Sequence, residues 1–115
     1  MNTLGREGEV IALEFLRKKG YRILEKNYRT VFGEIDIIAR DREVLVFIEV
    51  KTRAGTTFGY PFEAVNPKKR EKIRKVALCY LKKQKNESPA RFDVLSITRD
   101  RGETRIEHIQ DAFEG

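Results

Sequence analysis

Residues Gly33–Lys51 read GEIDIIARDREVLVFIEVK, and the fold turns on this stretch. It parses as two strands joined by a short charged turn. In the second strand, Val44–Lys51, the residues Val44, Val46, Ile48 and Val50 fall on one face and Leu45 and Phe47 on the other. A strand apolar on both faces belongs in the middle of a sheet that is covered on both sides. Its far end nevertheless carries Glu49 and Lys51, two residues apart and so on one face. The first strand has a matching anomaly, Asp36 between Ile35 and Ile37. Charges set into apolar strands are costly unless they pair with one another or bind an ion.

The turn decides whether the three charges meet. With an even number of turn residues, Asp41-Arg42 or Arg42-Glu43, Asp36 shares the face of Glu49 and Lys51; an odd number puts it on the other face. The even case gathers two carboxylates and an ammonium at the rim of a sheet. Two carboxylates suit a hard divalent cation such as Mg²⁺, which is held by one or two of them together with water and phosphate. A lysine beside them can stabilise a phosphate or orient a water. The competing reading is a buried structural ion pair.

Asp36 followed by Glu49-Val50-Lys51 resembles the Asp…(Asp/Glu)-x-Lys signature of the PD-(D/E)xK nuclease superfamily, with Ile35 where a proline often stands. The wider pattern is Gly5…Gly8-Glu9, Gly33-Glu34-Ile35-Asp36, Phe47-Ile48-Glu49-Val50-Lys51-x-Arg53, Phe58-Gly59 and Arg91-Phe92-Asp93. Together these resemble the UPF0102 (YraN) family of small bacterial proteins, nearly end to end. The resemblance implies a restriction-endonuclease-like fold, an α/β mixed sheet flanked by helices, similar to that of archaeal Holliday-junction resolvases. It implies catalytic roles for Asp36, Glu49, Lys51 and Glu9. Asp36 and Glu49 would hold Mg²⁺ or Mn²⁺, the Val50 carbonyl would complete the site, and Glu9 would match a helix-borne acid that some enzymes of this fold add. Lys51 would position the water and offset charge in the transition state. Branched DNA and a homodimer are the substrate and the acting unit that the resemblance suggests. Glu9 also has a plainer reading, as an acid favoured near a helix N-terminus.

At 115 residues, with 40% hydrophobic and 37% charged, the chain fits a single globular domain, 1–115. Its net charge of +6 suits an acidic polymer or an anionic surface, or serves simple solubility. The single cysteine, Cys79, has no partner for an internal disulfide, which fits a reducing cytoplasm. It reads as a small packing residue. The sequence has no apolar core of a signal peptide and no run approaching a membrane span.

Leu4–Lys19 reads as a helix with Ala12, Leu13, Phe15 and Leu16 as its stripe and Gly20 as its stop. A strand follows around Ile23–Thr30. Glu34 either helps with metal or pairs with a lysine. Thr52–Val65 shows no regular pattern and reads as a long loop. Its rings Phe58, Tyr60 and Phe62 could stack on unpaired bases, or cap the core or an oligomer contact. Asn66-Pro67 opens a second helix whose apolar stripe is Ile73, Val76, Ala77, Tyr80 and Leu81. Eight cations, Lys68 to Lys83, face a single Glu71, a balance that suits phosphate contacts or merely solvates the helix. Arg53, Lys68, Lys69, Lys72 and Lys75 are the candidate nucleic-acid-binding residues. Arg91–Ile97 and Thr104–Ile109 read as two last strands. Asp93 pairs with Arg91 or caps a turn, His108 reads as a surface residue of an edge strand, and Phe113 packs the tail down.

Two classes of function follow. One is a Mg²⁺-dependent nuclease acting on DNA. The other is non-catalytic: a nucleic-acid-binding module of the same fold, or an interaction domain that uses the aromatic loop.

Overall fold

The computed structural model describes residues 3–55, 66–85 and 87–113. Helix α1 (Thr3–Lys18) is followed by strands β1 (Arg22–Thr30), β2 (Gly33–Asp41) and β3 (Val44–Ala54), then by helix α2 (Pro67–Gln84) and strands β4 (Ala90–Asp100) and β5 (Glu103–Phe113). The strands form one sheet in the order β1-β2-β3-β4-β5. Neighbours are antiparallel except β3 and β4, which are parallel. Parallel neighbours need a crossover, and α2 lies within it. This is the restriction-endonuclease-like mixed sheet flanked by helices that the sequence implied.

β3 is the middle strand, apolar on both faces as expected. Val46 and Ile48 join Ala12 and Leu16 of α1 in one buried cluster, with Ile37, Leu95 and Ile97. Leu45 and Phe47 join Ile73, Val76, Ala77 and Tyr80 of α2 in the other, with Ile38 and Val94. Asn66 caps α2 through its side chain, which accepts from the Lys69 N–H (2.9 Å), and Pro67 takes the first helical position. Phe113 is buried and stacks on Phe92, holding the end of β5 against the α2 side. No helix among the described residues is long and apolar enough to cross a membrane.

α1 crosses β3 at close range. An added Cβ on buried Gly8 would overlap the Thr52 hydroxyl. Gly8→Ala is therefore expected to destabilise by about 1–3 kcal/mol through overpacking and to push the first turns of α1 away from the sheet. A melting curve unchanged from wild type would show that the helix has room to shift.

Two expectations need correction. Thr52–Ala54 is not loop but the end of β3, paired with β4 as Thr52↔Ile97, Arg53↔Thr98 and Ala54↔Arg99. Backbone pairing to a buried neighbour holds this polar stretch extended without any apolar alternation. From residue 56 on, the expected loop, with Phe58, Tyr60 and Phe62, lies outside the described residues. His108 is on an edge strand but is not a surface residue, since its side chain is only 5% exposed. Its Nε2 lies 2.7 Å from Asp93 Oδ2, and the Lys19 ammonium lies 2.9 Å from its Nδ1. Lysine can only donate, so Nδ1 accepts and Nε2 carries the proton given to Asp93. Phe15 and Tyr21 pack edge-on against the imidazole.

Asp93 is the centre of this buried network. It accepts from Arg91 and His108, and its Oδ1 accepts the Asp111 N–H (2.9 Å) at the irregularity where β5 shifts register against β4. Arg91 extends the network to Asp41 and to the Tyr21 hydroxyl (2.6 Å). The pairing with Arg91 was expected; the other partners were not. The network lies at the end of the sheet where α1 finishes.

Candidate active site at the parting of two strands

The β2–β3 turn is Arg42-Glu43, two residues closed by the pair Asp41↔Val44, with Arg42 at φ 58°. The even case therefore holds. Pairing runs from there to Ile37↔Ile48 and goes no further. At the next step a side chain replaces the ladder: Asp36 Oδ2 accepts the Val50 N–H at 2.8 Å. The Asp36 carboxyl thus sits at the seam between two separating strands.

Face alternation also breaks here. Ile38 and Ile35 both pack on the α2 side, while Ile37 packs on the α1 side. Strict alternation would have grouped Ile35 with Ile37. Asn27 of β1, which the register sets opposite Asp36, is in the left-handed region at φ 51°. Asp36 consequently reaches both Glu49 and a cavity on the α1 side. Parity alone would have placed it squarely on the face of Glu49.

Glu49 is only 8% exposed and lies near enough to Asp36 for its charge to act on that carboxyl. Its cation partner comes from the first turn of α2, where Lys69 Nζ stands 2.8 Å from Glu49 Oε1. Lys69 was grouped with the nucleic-acid contacts in the sequence reading; here its ammonium serves the carboxylate pair. One cation serves two acids, so the cluster is negative only where Asp36 has lost its proton. Burial, then the charge of Glu49, raise the Asp36 pKa from 3.8 to about 7, against the opposing effect of the Val50 N–H.

Beside the pair opens a cavity of about 300 Å³ whose walls include Glu9 and Arg6 of α1, Asp36 of β2, and Val50, Lys51 and Thr52 of β3. Lys51 makes no ion pair among the described residues. The Asn27 amide, with its nitrogen turned to the two acids, donates to Glu9 Oε1 (2.9 Å) and Glu34 Oε1 (3.1 Å). Glu34 also meets Arg29 at 3.5 Å, an arginine rather than the expected lysine. Arg53 is half-buried in the last turn of pairing with β4, and Lys68, Lys72 and Lys75 are exposed along α2.

Among the described residues, no three His, Cys, Asp or Glu side chains gather closely enough to hold a metal ion by themselves. A cation at Asp36 and Glu49 would need water, a backbone carbonyl or substrate phosphate for its remaining ligands. That donor set fits Mg²⁺ or Mn²⁺, which bind through one or two carboxylates and keep their other positions for water and phosphate. Glu9 faces the same cavity, tied to Asn27.

The model described as "Uncharacterised protein family UPF0102" matches residues 8–97, most of the chain, and takes in Glu9, Asp36, Glu49, Lys51 and Lys69. The chain belongs to UPF0102. A UPF0102 protein of Thermodesulfovibrio yellowstonii is 52% identical over 110 residues, covering 96% of this chain and 95% of its own. Another, from Geotalea daltonii, is 52% identical and covers 97% and 90%. A third, from Syntrophomonas wolfei, is 47% identical and covers 96% of both. In this UPF0102 chain, Asn27 is a site neighbour that pattern reading missed, and Lys69 is one that it named for another role. Lys69 was hidden in a run of cations. Asn27 carried one weak signal, a residue tolerant of left-handed backbone inside a strand.

Proposed function

We propose that this UPF0102 protein is a divalent-metal-dependent nuclease that acts on DNA, with branched DNA its preferred form. The observation that carries the reading is the closeness of Asp36 and Glu49, two acids brought together at the end of a strand pair, with Lys51 in the wall of the cavity that Asp36 lines. Burial first and the charge of Glu49 second raise the Asp36 pKa, a perturbation of the kind that clusters at functional sites. Asp36 and Glu49 would hold Mg²⁺ or Mn²⁺, which polarises a phosphate and acidifies a bound water. The Val50 N–H fixes the orientation of the Asp36 carboxyl. Lys51 offsets charge on the phosphate oxygens, and Glu9 orders solvent at the opposite wall of the cavity. Lys68, Lys72 and Lys75, with Arg53 at the end of β3, hold the backbone of the nucleic acid. The resemblance to resolvases supports a homodimer as the acting unit. The lone cysteine supports a cytoplasmic setting.

The test is direct. Purified protein is incubated with labelled single-stranded, duplex, flap and four-way DNA in Mg²⁺, Mn²⁺ or EDTA. Cleavage is expected with metal, strongest on branched DNA, and absent in EDTA. Lys51→Ala should lower the rate by about 10²-fold or more, the size of one lost electrostatic contact to the transition state, while DNA binding persists. Failure to cut any substrate would end the nuclease reading.

The Lys69–Glu49 ion pair favours a second reading. An internal cation already occupies one of the two carboxylates. Binding without cleavage would identify a non-catalytic nucleic-acid-binding module in which Lys69 stands where a metal would be.

A further inference from the structure

The β1–β2 hairpin ends in Thr30↔Gly33, which leaves Val31-Phe32 as a two-residue loop. Such loops favour glycine, asparagine and aspartate, for conformational reasons and because they face water. Here Val31 is 95% exposed and Phe32 43% exposed. Neither is needed for the core. The loop is nevertheless built firmly: Thr30 Oγ1 accepts the Phe32 N–H at 3.1 Å. Gly33, at φ 146°, lies so close to α2 that an added Cβ would sit 3.8 Å from Lys72 Cβ and 3.9 Å from Val76 Cγ2. Lys75 Nζ stands 5.7 Å from the centre of the Phe32 ring. Among the described residues, neither Lys72 nor Lys75 has a carboxylate partner.

An apolar tip is thus set beside two available cations, at the same end of β2 as Asp36. Four residues separate Phe32 from Asp36, about 13 Å along an extended strand. That is roughly four steps of 3.4 Å along a nucleic-acid strand. We propose that Val31-Phe32 is a wedge that stacks on an unpaired or opened base of nucleic acid while Lys72 and Lys75 hold the neighbouring phosphates. Aromatic stacking is indifferent to base identity but demands an accessible base face. The tip would therefore select for open nucleic-acid structure rather than for sequence. The inference deepens the reading of the site as one that meets nucleic acid; it does not depend on cleavage.

Affinity is measured by fluorescence anisotropy in EDTA, with the full chain and with single-stranded, blunt duplex and four-way DNA over a range of salt. The variants are Val31→Ser/Phe32→Ser, Phe32→Tyr and Lys72→Gln/Lys75→Gln. The double serine variant should weaken binding to single-stranded and four-way DNA by about tenfold, the loss of one stacked base. It should leave duplex affinity and the salt slope unchanged, because no charge is removed. Phe32→Tyr should retain wild-type binding. The lysine variant should weaken all three and flatten the salt dependence by about one unit per lost phosphate contact. Equal affinity of the double serine variant and wild type on every DNA, or an equal loss on every DNA, overturns the wedge while leaving nucleic-acid binding intact. Failure of wild type to bind any of the three overturns both. A double serine variant that binds DNA normally but alters the oligomeric state assigns the tip to a protein contact and overturns the wedge.

Discussion

Asp36→Asn is expected to make the protein more stable at pH 8, by on the order of 3 kcal/mol, or roughly 10 °C in melting temperature. In the folded protein Asp36 keeps its proton up to about pH 7, whereas the unfolded chain loses it near 3.8. Between these values the folded state binds more protons. The contribution of Asp36 to stability is therefore fully present below pH 4 and is lost as pH rises to about 7. Asparagine removes this dependence. Its side-chain oxygen can still accept the Val50 N–H, and its amide can donate to Glu49, so the repulsion becomes a hydrogen bond. The gain should vanish below about pH 3, where aspartic acid is neutral in both states. Metal supplies a second axis. Mn²⁺ or Mg²⁺ should raise the melting temperature of wild type at pH 8, because an ion bound only by the folded state stabilises it. The same ions should leave Asp36→Asn unmoved. A variant destabilised by about 3 kcal/mol or more, beside a metal-insensitive wild type, would mean that the carboxylate is a structural partner, as for a broken buried pair.

The second large effect lies at the other end of the sheet. Asp93→Ala is expected to destabilise by about 3–5 kcal/mol, because Arg91 is left with its charge largely buried and the Asp111 N–H with no acceptor. In a chain of this size that amounts to more than ~10 °C, and the variant will fold only marginally at 37 °C. Burial alone would raise the Asp93 pKa; hydrogen bonds from His108, Arg91 and the Asp111 N–H outweigh it and hold the group below 3.8. Its contribution is present above the unfolded value and is lost as pH falls through the folded one. Acid unfolding of wild type below pH 4 should therefore shift in Asp93→Asn, whereas the pH 4–7 range should belong to Asp36. A melting temperature within 2–3 °C of wild type for Asp93→Ala would show that the β4–β5 network is dispensable.

The middle of the fold was legible because its signals are local. Apolar residues on both faces of β3 announce a central strand, Asn66-Pro67 announces a helix start, and the short charged turn sets the β2–β3 register. The end of β3 was not legible. Thr52–Ala54 is extended because β4 pairs with it, and that partner lies some forty-five residues downstream. Asp93 and His108 were invisible as a pair for a similar reason. The pairing Leu95↔His108 sets the imidazole diagonally across from Asp93, and that register belongs to the strand pair rather than to any apolar pattern in the chain. At the site, an even turn implied that Asp36 and Glu49 would meet, but not how. The break in alternation between Ile35 and Ile37 depends on Asn27 across the strand pair. The partner of Glu49, Lys69, comes from a helix in the crossover. Pairwise geometry of this kind is written in the tertiary structure rather than in any window of sequence.

The 2.8 Å contact between Asp36 and the Val50 N–H sets the site against the sheet that carries it. A continuous β2–β3 ladder would satisfy that N–H with a main-chain carbonyl, and the strand pair would be stiffer for it. The aspartate occupies the position where the next rung would form. Any redesign that rewards regular pairing, or any drift towards an unbroken hairpin, would thus expel the carboxylate and seal the seam. The opening between the strands is maintained at the expense of a more regular sheet, and a stabilised variant should be judged first by whether that opening has survived.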